Sequence, residues 1–80
     1  METKEQLIKN KNIIIPALRD WALTFDGELD EEGEKTDKTY NYITYLANNL
    51  EKEQLTEQDV KEIYFHIWQI EQGDIKLNLI

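Results

Sequence analysis

The chain contains no cysteine and no serine, and it has only one proline, one histidine and one arginine among its 80 residues. Without cysteine there can be no disulfide, no thiolate metal ligand and no thiol nucleophile. Without serine there can be no serine hydrolase, and the sequence contains no phosphate-binding loop, zinc motif or glycine-rich dinucleotide turn. We therefore expect a protein that is not an enzyme and that uses no cofactor.

Long apolar runs are also missing. No run approaches the ~18 residues of a membrane span, and the N-terminus lacks the basic and apolar segments of a signal peptide. We therefore expect a cytoplasmic protein with no membrane contact. Eighty residues predict one domain, residues 1–80, with a small hydrophobic core.

Negative charge is what the chain has in excess. Its formal net charge is −8, and −6 of this lies in residues 26–37, where seven acidic residues stand against Lys35. Such a charge repels nucleic-acid phosphates, so we expect no direct binding to DNA or RNA and favour a basic or nucleic-acid-binding protein as the partner.

Apolar spacing predicts an all-α fold, a small three-helix domain with a kinked first helix, an acidic loop and a short extended C-terminal tail. In the first helix, an apolar residue recurs every seven positions, at Leu7, Ile14 and Trp21. Because this phase continues through Pro16, we expect one helix over about 4–25, kinked at the proline. The alternative breaks the chain at Asn10 to Asn12, and residues 13–15 then start a second helix or form a short extended piece.

Residues 26–36 are predicted to form the acidic loop between the first two helices. Thr36 or Asp37 is expected to cap a second helix over about 37–53. The buried face of that helix has helical spacing and consists of Tyr40, Ile43, Leu46, Ala47 and Leu50.

Thr56 is the expected N-cap of a third helix over about 57–72, which Gly73 ends. Residues 74–80 alternate apolar and polar side chains, which predicts an extended tail. A lone strand is not stable by itself, so the tail must pack on the helices, pair with residues 13–15 or pair with another chain.

The acidic segment is the first candidate partner-binding surface, formed by Asp26, Glu28, Asp30, Glu31, Glu32, Glu34 and Asp37. Its carboxylates suit a basic partner and could imitate a run of nucleic-acid phosphates, or the segment could simply be a solvated loop. A calcium loop of the EF-hand kind is a further alternative, but its twelfth position would be Thr39 instead of a bidentate glutamate.

The second candidate surface lies on the second helix and consists of Asn41, Tyr42, Tyr45, Asn48 and Asn49. Tyrosine and asparagine combine rigid contact area with adaptable hydrogen bonding, as recognition surfaces require. Alternatively, the tyrosines pack on a neighbouring helix and the asparagines are solvated.

The third helix has a wide apolar face, which favours a central helix with Trp68 in the core. In the alternative, Phe65 and Trp68 form a binding or homo-oligomer surface. His66 is expected on the polar face, where an ion pair with Glu62 needs no functional explanation.

Taken together, these features favour a non-enzymatic acidic protein-binding module that inhibits or masks a basic or nucleic-acid-handling protein. In general character the chain is similar to small acidic inhibitors, antitoxins and immunity proteins, without a motif that identifies one of them. The alternative is a structural or assembly subunit that oligomerises through the third helix and the C-terminal tail.

Overall fold

A computed structural model of the protein describes residues 3–25, 27, 31–33 and 37–80. These residues form an all-α fold, as the sequence predicts, with four helices and no strand among them. The helices are α1 (Lys4–Lys9), α2 (Lys11–Leu23), α3 (Lys38–Glu51) and α4 (Glu57–Gln72). None of these helices is long and apolar enough to cross a membrane.

Residues 4–23 form two helices that meet at Asn10, in place of the predicted single helix over about 4–25 kinked at Pro16. Two donors of Asn10, its backbone N–H and its side-chain Nδ2, bond to the carbonyl of Gln6 at 3.1 and 2.9 Å. The Asn10 carbonyl accepts from the N–H of Ile14 at 2.9 Å, which begins the next helix. The Asn10 side chain bonds both to the preceding helical turn and to the tail, and these bonds favour a break at this residue. Pro16 lies inside α2 without ending it.

Local capping explains where three of the four described helices begin, namely α1, α3 and α4. Thr3 and Gln6 form a capping box at α1, and Thr56, the predicted N-cap of α4, forms a second one with Asp59. The Asp37 carboxylate caps α3 by accepting from two backbone N–H groups. Each cap satisfies amide groups that have no partner within the helix, and it stabilises the helix by about 1 kcal/mol.

The hydrophobic core lies between all four helices, and α2 packs most closely against α3. Its buried apolar residues are Leu7, Ile14, Leu18, Ala22, Ile43, Leu46, Ala47, Leu50, Leu55, Ile63, Ile67 and Ile70. Each fully buried leucine or isoleucine contributes about 1.5–3 kcal/mol relative to its exposed state. The predicted buried face of the second helix is confirmed, with Tyr40 partly buried at its edge.

Two predictions for α4 are wrong. Trp68, expected in the core, is 57% exposed, and the neighbouring Phe65 is 50% exposed. His66, expected on the polar face, is buried, and so is Asp59. The helix is therefore rotated so that two polar residues face the interior, where each has a hydrogen-bond partner, and two aromatic residues face outward.

The C-terminal tail packs on the helices and forms no strand. Leu77 packs against the core, and the backbone of Ile80 pairs with the buried side chain of Asn10. The Ile80 N–H donates to Asn10 Oδ1 at 2.7 Å, and Asn10 Nδ2 donates to the Ile80 carbonyl at 3.3 Å. The asparagine carboxamide thus takes the place that a neighbouring strand would take in a sheet.

Candidate functional site

The α3 side chains that lie outside the core make different contacts. Asn48 faces α2, where its Oδ1 accepts a hydrogen bond from Arg19 Nη2 at 3.1 Å. Asn49 faces α4, where its Nδ2 donates to Asp59 Oδ2 at 3.2 Å. Tyr42, Tyr45 and Asn41 are exposed, Asn48 is exposed beside its contact with α2, and Asn49 is partly buried. Two of the five predicted residues, Asn48 and Asn49, thus bond to neighbouring helices, and the other three line the exposed side of α3.

Tyr42 and Tyr45 form an exposed aromatic pair. Their rings are stacked, with centroids 6.1 Å apart, because residues three positions apart are neighbours on a helix. Tyr42 is 37% and Tyr45 is 49% exposed. Rigid aromatic rings with a polar hydroxyl at the tip are the side chains that most often anchor protein interfaces.

Carboxylates of α4 lie close to this tyrosine pair. Partial burial is the main cause that raises the pKa of the Tyr42 phenol, and the negative charges of Glu62 and Asp59 raise it further. The phenol therefore stays protonated over the physiological range and remains a hydrogen-bond donor. Its surroundings are negative, which favours a basic group on any partner that contacts the ring.

Phe65 and Trp68 form a second exposed aromatic pair, on α4. Their rings are stacked with centroids 6.4 Å apart. Glu62 lies one helical turn before Phe65, and its charge acts on Tyr42 across the two helices. We call the residues Tyr42, Tyr45, Glu62, Phe65 and Trp68 the α3/α4 surface.

Beneath the α3/α4 surface, buried polar groups join the helices. Trp21 Nε1 on α2 donates to His66 Nδ1 on α4 at 3.1 Å, so that nitrogen of the imidazole has no proton. Burial lowers the pKa of His66, and the charge of Glu62 and a hydrogen bond with Gln69 only partly oppose this shift. His66 is therefore a neutral structural residue that fixes the position of α4 against α2.

The sequence did contain one signal for this arrangement. His66 follows Ile63 by three residues and precedes Ile70 by four, and Asp59 precedes Ile63 by four. This is the spacing of the buried face, so helical phase places both polar residues inside.

The acidic segment is described only in part. Glu31 and Glu32 are exposed, and Asp37 uses one carboxylate oxygen to accept from Thr39 N at 2.8 Å and Tyr40 N at 2.9 Å. Asp37 thus has a structural role as a helix cap. The predicted binding residues Asp26, Glu28, Asp30 and Glu34 lie outside the described residues. Within the described part of the chain, no group of three or more histidine or acidic side chains is placed to hold a metal ion.

Comparison with protein-family models, with curated proteins and with solved structures finds no match to this chain. Its function must therefore be argued from its own surface chemistry.

Proposed function

We propose that this protein is a non-enzymatic, cytoplasmic binding module that masks a basic protein, and that the masked protein handles nucleic acid. The observation that supports the proposal best is the exposed tyrosine pair of α3 beside the carboxylate of Glu62. On a chain of net charge −8, such a pair combines contact area with attraction for lysine and arginine.

Charge and aromatic area have different roles in this proposal. Exposed carboxylates increase the rate of association with a basic partner, because the electric field of the whole protein steers the encounter. The aromatic rings then bury apolar area and slow dissociation. A cleft that binds a phosphate backbone is basic, so carboxylates at suitable spacing would occupy it in place of the nucleic acid.

Affinity capture from the native host tests this proposal. The tagged protein and its Tyr42→Ala/Tyr45→Ala variant are used in parallel, and retained proteins are identified by mass spectrometry. We expect the original protein to retain a basic, nucleic-acid-handling protein. The variant should retain less of that protein. A Leu23→Ala variant is the matched control, since Leu23 is an exposed apolar residue of α2 outside the α3/α4 surface. Retained proteins that do not differ between the original and the tyrosine variant would contradict the proposal.

The alternative function is self-assembly through Phe65, Trp68 and the C-terminal tail. The exposure of the two rings, 50% for Phe65 and 57% for Trp68, favours this function. Exposed aromatic rings are enriched at the centres of protein interfaces. Ionic strength separates the two functions. Copies of a chain with net charge −8 repel one another, so salt strengthens self-assembly, whereas salt weakens binding to a basic partner.

A further inference from the structure

A groove outside the α3/α4 surface lies between the C-terminal half of α2, the end of α4 and the tail. Its volume is about 510 Å³, and its apolar wall consists of Ala17, Trp21, Ile70, Ile75 and Leu77. This volume falls within the range of about 300–1,000 Å³ that is typical of sites for small molecules. Asp20 is the one charged residue among the described residues that line the groove.

Two helices end at this groove. Thr24, the C-cap of α2, and Gly73, the C-cap of α4, both line it. The C-terminus of a helix has a partial negative charge, which a basic residue in the last turn commonly offsets. Neither α2 nor α4 has a basic residue in its last turn. Those turns instead contain Asp20 in α2 and Glu71 in α4.

The described residues supply no cation that neutralises this site. The Asp20 carboxylate makes no hydrogen bond or ion pair with any described residue, and Asp20 is exposed. Lys76 is the only basic residue of the tail, and it does not line the groove although both of its neighbours do. The groove is therefore apolar along its wall and negative where the helices end.

We propose that the groove binds a small amphipathic cation, a molecule with an apolar body and one ammonium group. The apolar body displaces water from the side chains of Trp21, Ile70 and Leu77. The ammonium group lies near the Asp20 carboxylate and the carbonyls at the two helix ends, where a carboxylate would be repelled.

Three probes of the same shape test the charge requirement: 4-phenylbutylamine, 4-phenylbutanol and 4-phenylbutanoate. Binding is followed by NMR at the two indole N–H signals. The Trp21 signal reports the groove, and the Trp68 signal is an internal control because Trp68 does not line it. We expect the amine to shift the Trp21 signal and to bind at least about tenfold more tightly than the carboxylate, with the alcohol between them. Equal affinity for the three probes, or no amine-induced shift at Trp21, would overturn the proposal.

Two variants that each remove one negative charge show where the ammonium group binds. Asp20→Asn should weaken amine binding several-fold and leave alcohol binding unchanged. Glu57→Gln, at the opposite end of α4, should change neither. An equal loss of amine binding in both variants would show that net charge, and not the groove, attracts the amine. Binding of a basic peptide at Trp21 without binding of the amine would also contradict a small-molecule site.

Discussion

At the scale of single residues, His66 makes the stability of the protein depend on pH. Burial lowers its pKa in the folded state below the value of about 6.5 for an unfolded histidine. The unfolded chain therefore takes up a proton more readily than the folded one. The contribution of neutral His66 to stability is fully present above about pH 6.5 and is lost as the pH falls through the lowered folded-state pKa.

We expect the free energy of unfolding to fall between about pH 7 and pH 5, and to fall less in a His66→Gln variant. Glutamine offers Trp21 an acceptor oxygen but does not titrate. Urea unfolding at a series of pH values measures both proteins, and the difference between the two curves isolates the histidine from the carboxylates. Parallel curves would show that His66 does not titrate differently on folding.

The polar nature of His66 predicts a solvated position, whereas its helical phase places it on the buried face. The hydrogen-bond partner that makes burial possible, Trp21, is 45 residues away in the chain. Local patterns cannot show such a partner. The same limit applies to Trp68, because whether an apolar ring is covered depends on which helices lie beside it.

At the scale of helices and connections, a strained residue, Glu53, follows the C-cap of α3. Glu53 adopts φ 58°, a left-handed conformation that side chains other than glycine rarely take. The surrounding bonds, Glu53 N to the Leu50 carbonyl and Gln54 N to the Asn49 carbonyl, form the helix-terminating motif that normally has glycine at this position. The Glu53 carboxylate also forms an ion pair with Lys11 Nζ at 3.0 Å, and both side chains are substantially exposed.

Glu53→Gly should raise the free energy of unfolding by about 0.5–1 kcal/mol, because relief of the strain outweighs loss of an exposed ion pair. Glu53→Gln is the matched control, since it removes the ion pair and keeps the strain. Chemical unfolding of the two variants decides the question. A glycine variant no more stable than the glutamine variant would mean that the left-handed conformation costs little here.

The buried side chain of Asn10 holds the end of the tail by hydrogen bonds to Ile80. Asn10→Ala should lower the free energy of unfolding by roughly 1–3 kcal/mol, because the side-chain hydrogen bonds to Gln6 and Ile80 are lost. It should also speed hydrogen exchange at the Ile80 amide. Asn12→Ala is the control, because Asn12 is an exposed asparagine of the neighbouring helix. Unchanged exchange at Ile80 in the Asn10 variant would show that Leu77 holds the tail without it.

Elements that depend on local chemistry were predictable and those that depend on distant contacts were not. The cap at Thr56 depends only on residues within three positions and was expected from the sequence. The break at Asn10 was only an alternative, since its side chain is engaged by Ile80, 70 residues away. The apolar alternation of the tail suggested a strand, but an asparagine side chain supplies the pairing instead.

At the scale of the whole molecule, the net charge of −8 should govern how the protein meets a partner. Neutralising Asp30, Glu31, Glu32 and Glu34 together should slow association with a basic partner at least several-fold and reduce its dependence on salt, because long-range attraction is lost. Stopped-flow or surface-binding kinetics measure this effect. Association rates equal to those of the original protein would remove the acidic segment from the interaction.

The most direct test of the proposed function is the dissociation constant for the captured basic partner, measured by calorimetry at low and high ionic strength. The original protein is compared with its Tyr42→Ala/Tyr45→Ala variant, and Leu23→Ala is the control. We expect the tyrosine variant to bind at least about tenfold more weakly, a loss of about 1.4 kcal/mol, and salt to weaken the original complex. Equal affinity of the original protein and the tyrosine variant, together with a self-association that Trp68→Ala abolishes, would contradict the masking function and support assembly.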